Sequence, residues 1–378
     1  MGRPKLSEVN LAGFKSIGPS GQTIKLGDIT ILLGANGAGK SNLVSFFYLI
    51  NFITNKALQK FIGQQGGADS ILYYGAKVTE KIDFTLSFDQ KEGGEHQSFR
   101  YQVALGHSLP DRLFLADERV IYPSSESVEE YSIGSGSQES GLADHEEPAV
   151  RYVHTILSQM RTYQFHDTSD TAKIKASGYL GDCRYLRSNA GNLAAFLRMM
   201  KCSEKYKIYY DRIMRHIQKI MPQFGGFELA ECSKEEDAGY GMLNWHEINR
   251  ASEALFGPHQ ISDGSLRFMA LATLLLQPPQ LIPKVIVLDE PELGLHPAAL
   301  RELAAMIRMA AAHCQVIVAT QSTRLVDEFQ AEEIVVVERD LSNRCSVFKR
   351  LNTAALSDWL ARYSLSELWE KNVLGGLP

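Results

Sequence analysis

Eight consecutive residues, Gly34-Ala35-Asn36-Gly37-Ala38-Gly39-Lys40-Ser41, combine three glycines with a lysine and a hydroxyl. They fit G-x-x-x-x-G-K-[ST], with an apolar strand pattern before them (Ile29 to Leu33) and a helical pattern after them (Lys40 to about Ile53). Glycines let the backbone curl so that successive N–H groups face an anion at a helix N-terminus, whose partial positive charge favours it. Lys40 then reaches the β/γ-phosphates of a nucleotide and the Ser41 hydroxyl ligates Mg²⁺. Gly34, Asn36, Gly37, Gly39, Lys40, Ser41 and Asn42 are the expected nucleotide-binding residues; the competing reading is a plain glycine-rich turn.

A second apolar run, Val285 to Leu288, ends in Asp289 and Glu290. There Asp289 would hold the Mg²⁺, directly or through water, and Glu290 would orient or deprotonate the attacking water. Strands often end in acidic turns, so the segment carries weight only beside the phosphate loop. Between the two motifs, Ser262 and Gly264 of Gln260-Ile261-Ser262-Asp263-Gly264-Ser265-Leu266-Arg267 precede an apolar helix. A hydroxyl and backbone N–H groups at a helix start form an anion site, although an ordinary Ser N-cap has the same look. His154, His166, Asp167 and His296 raise the question of a metal, but their spacing matches no zinc-ligand pattern. Hydrogen-bonded structural histidines are the expected state.

The elements that must hold these residues follow from periodicity. Leu6 to Leu11, Ile24 to Leu26 and Ile29 to Leu33 read as strands; Ile82 to Phe88, Phe99 to Leu105 and Leu113 to Tyr122 read as an antiparallel meander. Residues 124–147 hold seven acidic residues and no Lys or Arg among many Ser and Gly, which predicts a solvated, mobile insertion. From Arg198 to Lys219 seven Lys/Arg face only Glu204 and Asp211, interleaved with Tyr206, Tyr209 and Tyr210. Such a helix suits nucleic acid or an acidic partner, against the simpler reading of a solvated basic side. Strand-like pieces at Phe227 to Glu231 and Met242 to Ile248 follow. The last third alternates helix and strand: Leu266 to Leu276, Val285 to Leu288, Ala298 to Ala312, Val316 to Ala319, Thr323 to Phe329 and Ile334 to Glu338. That is the rhythm of a parallel α/β sheet. The expected segments are an N-terminal lobe (1–123), the acidic insertion (124–147), a helical and β middle region (148–253) and a C-terminal lobe (254–378).

Composition narrows the class. The 378 residues, 44% hydrophobic and 22% charged, supply a sizeable core and exclude disorder over the whole length. A net charge of −5 excludes a surface that coats nucleic acid or anionic membrane everywhere, while leaving room for a local basic face. Five widely spaced cysteines without a C-x-x-C pair suggest neither a disulfide framework nor a zinc module. No apolar run approaches the length of a membrane helix and no leader-like h-region opens the chain, so a cytoplasmic protein without a membrane partner is expected.

Taken together, the chain resembles an ATP-binding-cassette (ABC) type ATPase head of the lineage of RecF, the structural-maintenance-of-chromosomes (SMC) proteins and the OLD nucleases. It is most similar to the compact stand-alone predicted ATPases of that lineage. The residues carrying the resemblance are the entry Gly13-Phe14-Lys15-Ser16, the Walker A loop, Tyr163 to Ser169, Asn192 to Phe196, the Ser262-Asp263-Gly264 signature, Asp289 to Pro297 with its Walker B carboxylates, and Ser364 to Gly376. The resemblance implies an α/β fold with a P-loop parallel-sheet core, an antiparallel β subdomain and a helical signature subdomain. It also implies ATP and Mg²⁺ as ligands, and a head-to-tail dimer in which Ser262 and Gly264 of one subunit complete the site of the other. Glu292 to His296 would form the D-loop at that interface.

The sequence departs from the pattern at three places. Asp263 and Ser265 stand where the superfamily favours glycine and a polar residue, and Gln321, after the strand ending at Ala319, holds the switch position usually occupied by histidine. Gln321 hydrogen-bonds but carries no proton charge, so as a catalytic residue beside Glu290 it implies slow hydrolysis. The glutamine loop is open between Gln159 and Gln164. The stretch between the Walker motifs lacks the heptads of DNA-bridging relatives, and the residues beyond Asp289 are used up by the head itself, so no nuclease domain is expected. The implied function is an ATP-hydrolysing, ATP-dependent homodimer that switches DNA or an effector protein, in DNA repair or anti-phage defence; the alternative is a non-hydrolysing ATP-sensing scaffold. A P-loop kinase is disfavoured by the signature and the Asp289-Glu290 pair, and a transporter subunit by the acidic segment and the RecF-like entry.

Overall fold

A computed structural model describes residues 3–92, 95–123, 128–229, 239–248, 254–340 and 342–376. The chain divides into two compact units, residues 1–162 with 284–287 and 315–378, and residues 163–283 with 288–314. These differ from the four consecutive segments expected above, because strands of a parallel sheet are gathered from distant parts of the chain.

The first unit begins with β1 (Lys5–Ala12), β2 (Gln22–Lys25), β3 (Ile29–Leu33), α1 (Lys40–Thr54) and α2 (Leu58–Gln64). The meander follows as β4 (Lys81–Glu92), β5 (Glu95–Ser108), β6 (Arg112–Pro123) and β7 (Val128–Gly134), then α3 (Pro148–Ser158) and β8 (Met160–Tyr163). One sheet runs β2-β1-β4-β5-β6-β7, antiparallel throughout. Its strands alternate: Ile82, Phe84, Leu86 and Phe88 of β4 and Phe99, Tyr101, Val103 and Leu105 of β5 all point to the core, the period-two signature of a half-buried sheet.

The second sheet runs β16-β15-β3-β14-β13-β8, adding β13 (Val285–Asp289), β14 (Gln315–Thr320), β15 (Ile334–Arg339) and β16 (Ser346–Arg350). β3 is parallel to both β14 and β15, with Ile31 opposite Val318 and Leu32 opposite Val335. Every residue of β3 and β14 is buried, as apolar strands covered on both faces must be. α8 (Thr323–Val326), α9 (Thr353–Leu360) and α10 (Leu365–Glu370) complete the unit. α1 belongs to the core shared by the two sheets: its Phe46 ring lies 5.9 Å from Phe14 and 5.1 Å from Phe84, both edge to face. Gln315, 2% exposed, joins the sheets by a polar stitch, accepting from Leu6 N at 2.6 Å and donating to Leu6 O at 2.9 Å and Gly27 O at 3.0 Å.

Where the composition predicts a solvated, mobile insertion, the described residues of the acidic segment include a strand and a capping carboxylate. Residues 124–127 lie outside the described residues, but β7 pairs with β6, and Glu130, Glu139 and Asp144 accept from nearby donors. Glu139 caps α2 by accepting from Leu58 N at 2.7 Å and Gln59 N at 3.1 Å, and Asp144 pairs with Lys56. Buried Glu118 accepts from Tyr101 Oη and Ser140 Oγ at 2.6 Å and from Gly141 N at 3.1 Å. Burial, with that carboxylate beside it, pushes the Tyr101 phenol well above its usual range.

In the second unit α4 (Leu193–Cys202), α5 (Lys207–Ile220), α6 (Asp263–Leu276) and α7 (Pro297–Ala311) accompany two short ribbons, β9 (Gly178–Tyr179) with β11 (Tyr240–Gly241) and β10 (Phe224–Glu228) with β12 (Asn244–Glu247). α6 is apolar all round and buries every residue from Phe268 to Leu276, as a helix flanked by α5 and α7 requires. The basic stretch is two helices rather than one, and Arg198 is buried in α4 instead of joining the basic face. Cys183, Cys314 and Cys345 are buried thiols.

Candidate nucleotide site

The first unit carries the phosphate loop between β3 and α1. Gly37 (φ 79°) and Gly39 (φ 113°) take left-handed backbone that only glycine adopts without strain. A Cβ on Gly39 would run into Ser346 Oγ, whereas the Cβ direction of Gly37 meets nothing within 4 Å. One glycine is needed for close packing behind the loop, the other for the curve of its open side. No side chain caps α1 and no acid sits in its first turn, so its N–H groups keep their positive field. Lys40, 4% exposed, donates to Gly34 O at 2.6 Å and Ala35 O at 3.0 Å, which holds the ammonium against the loop. Ser41 is exposed and Asn42 half-buried, donating to Ser16 Oγ at 2.6 Å. Ser346 Oγ continues this brace to Ser16 Oγ at 2.7 Å and Ala38 O at 2.6 Å. Gln321 follows β14, half-buried.

A cationic cleft that no sequence motif marks lies beside this loop. Lys15, Ser16, Asn42, Ser70, Tyr74 and Arg339 line it. Lys15 donates to Ser45 Oγ and Gln65 Oε1, each at 2.8 Å, and burial lowers its pKa. Both hydrogen-bond partners are neutral, so the ammonium's charge is available to an anion.

The second unit carries the carboxylates and the signature. Asp289, 6% exposed, accepts from Gln164 Nε2 at 2.9 Å. Gln159 instead uses its main-chain oxygen, accepting from Lys284 N at 2.9 Å within the first unit. Glu290 has φ 42°, an uncommon left-handed conformation for a residue with a side chain and of the kind that collects at functional sites. His166 Nε2 bonds Asp289 O at 2.8 Å, fixing the peptide that leads into Glu290. The other histidines are likewise occupied: His154 with Thr54 O at 3.1 Å, and His296 as N-cap of α7 with Ala298 N at 3.2 Å.

Ser262 is the N-cap of α6, accepting from Ser265 N at 3.2 Å, and stays exposed. Gly264 has no room for a Cβ, which would strike Gly294 O of the Glu292–His296 turn. Arg267 ties these parts together. It donates to Phe165 O at 3.0 Å, His166 O at 2.8 Å, Leu293 O at 2.9 Å and Thr168 Oγ1 at 3.1 Å. α6, the Glu292–His296 turn and the Gln164–His166 strip therefore form one hydrogen-bonded module. The first unit holds a glycine cradle with a lysine and an exposed hydroxyl, residue types that suit a phosphate chain; the second holds a buried carboxylate oriented by an amide donor.

Known proteins resemble this chain in sequence and in fold. Residues 228–327 match a family model described as "AAA domain, putative AbiEii toxin, Type IV TA system". Two strains of Staphylococcus epidermidis carry an energy-coupling factor transporter ATP-binding protein, EcfA2, that is 25% identical over 183 residues, covering 43% of this chain and 60% of that protein. The chain thus spans less than two thirds of these curated relatives. A solved Smc head bound to the C-terminal winged-helix domain of ScpA superposes with a TM-score of 0.57 at 16% identity, over 92% of this chain and 98% of the other. The Pyrococcus furiosus Smc head with an extended coiled coil, bound to the C-terminal domain of ScpA, gives 0.57 at 13% identity over 95% and 99%. With its parallel sheet, antiparallel sheet and helical second unit, the chain has the fold of the Smc head domains.

Proposed function

We propose that the chain binds ATP with Mg²⁺, closes as a homodimer around two nucleotides, and hydrolyses them slowly to reopen, acting in the cytoplasm as a switch for DNA or an effector protein. The observation that carries this reading is the Arg267 module, which joins the anion-binding start of α6 to the turn bearing Asp289 and Glu290. An effect at Ser262 is thereby passed to the hydrolytic carboxylates. Lys40 and the loop N–H groups hold the phosphates, Ser41 and Asp289 take the Mg²⁺, which neutralises phosphate charge when bound, and Glu290 accepts the proton of the attacking water. Gln321 hydrogen-bonds the terminal phosphate or that water. Ser262 and Gly264 act on the nucleotide of the other subunit.

ScpA-bound Smc heads of the same fold support an effector protein as partner, and the toxin description of the family model supports a defence context. Gln321 in the switch position favours one second reading, an ATP-sensing scaffold that does not turn over. Steady-state ATP turnover decides: wild type hydrolyses, Lys40→Ala loses binding, and Glu290→Gln binds ATP but is slower by about 10²–10⁴. Turnover at the wild-type rate in Glu290→Gln contradicts the assignment; binding without turnover in wild type selects the scaffold.

A further inference from the structure

The signature carries a negative charge one residue from the proposed phosphate contact. Asp263 opens α6, where a carboxylate favours the helix dipole but opposes an incoming phosphate. Lys175 stands against it: its side chain is 6% exposed, with Nζ 3.3 Å from Asp263 Oδ1 and 4.0 Å from Asp170 Oδ1. Asp170 is 95% exposed, faces His259 Nδ1 at 3.9 Å, and is screened by solvent. The shorter, better-shielded pairing of Lys175 is therefore with Asp263.

We propose that Lys175 is a positioning residue: it neutralises Asp263, so that the start of α6 accepts the terminal phosphate of the partner's nucleotide. The inference rests on the composite-site reading above. Where related signatures carry glycine, this chain carries an ion pair whose net charge is the same as glycine's. Lys175 touches the nucleotide at no stage; it acts through Asp263. Losing the lysine leaves a carboxylate beside the phosphate site, and losing both charges removes the problem.

The test uses full-length Glu290→Gln protein and the ATP concentration at which half of it dimerises, followed by sedimentation velocity. Adding Lys175→Met raises that concentration about 10- to 100-fold, from like-charge repulsion at a few ångströms. Adding Asp263→Asn to Lys175→Met brings it back to within about threefold of the parent, a coupling that a double-mutant cycle reads directly. If Lys175→Met melts too low to assay, Lys175→Gln takes its place in the same cycle. A double variant no better than the single one shows a merely structural lysine and overturns the inference, as does unchanged dimerisation in Lys175→Met. A parent that never dimerises with ATP overturns the composite site itself, and this inference falls with it.

Discussion

Gln164 donates its side-chain amide to Asp289 at 2.9 Å, so the carboxylate proposed to hold Mg²⁺ is oriented by a residue 125 positions earlier in the chain. The bond fixes the rotation of the carboxylate. Gln164→Ala is expected to raise the Mg²⁺ concentration needed for half-maximal turnover about 10- to 100-fold, the usual cost of losing a group that orients a metal ligand. An unchanged Mg²⁺ titration would detach Gln164 from the metal.

Gly264 packs against the Gly294 carbonyl so closely that even one methyl group requires movement. Gly264→Ala should keep ATP binding at the phosphate loop, which lies in the other unit, while lowering turnover at least about tenfold and destabilising the fold by about 1–3 kcal/mol, the range for overpacking. Nucleotide binding measured beside turnover separates the two effects.

Lys15 gives a pH signature. Its folded-state pKa is lowered from 10.5 by burial, so between that lowered value and 10.5 the unfolded chain holds more protons than the folded one. Stability therefore rises with pH across that window, and the rise is absent from Lys15→Met. If Lys15 also serves the nucleotide, ATP affinity falls over the same window in wild type alone.

Any DNA binding falls to α5 and the residues before it. Arg198 is buried, Lys201 donates to Phe227 O at 3.4 Å and Lys219 pairs with Glu302 at 3.0 Å, which leaves Lys205, Lys207, Arg212 and Arg215 as the basic face. Reversing these four to Glu should abolish retention of DNA by the ATP-closed protein, and wild-type retention should weaken steeply with salt without sequence preference. Salt-insensitive or absent retention in wild type leaves the effector protein as the partner.

The parts of this site that were legible in the sequence are those where local backbone chemistry dictates residue type. Gly37 and Gly39 announce their left-handed turn, and the apolar runs of β3, β13 and β14 announce strands covered on both faces. Partnerships were not legible. Composition counts the acids of residues 124–147 without knowing that Glu139 caps α2 or that Ser140 reaches buried Glu118. Gln159 and Gln164 are the same residue type five positions apart, and only the fold decides which amide meets Asp289. Arg267 leaves no trace in pairing patterns, because three of its four acceptors are main-chain carbonyls, which every residue possesses.

The central claim is that each working site borrows its signature from a second copy of the chain, and mixing two inactive variants tests it most directly. Ser262→Arg fills the anion-binding start of α6 with a bulky cation, and Lys40→Ala empties the phosphate loop of its charge; each alone should lack turnover. Mixed in equal amounts, the two should regain up to about one quarter of wild-type turnover, because random pairing in a two-fold dimer makes half the dimers mixed, each with one intact site. That site pairs Lys40 of the Ser262→Arg subunit with Ser262 of the Lys40→Ala subunit. Ser262→Arg hydrolysing ATP at the wild-type rate as a monomer, or a mixture as inactive as its components, would contradict the account.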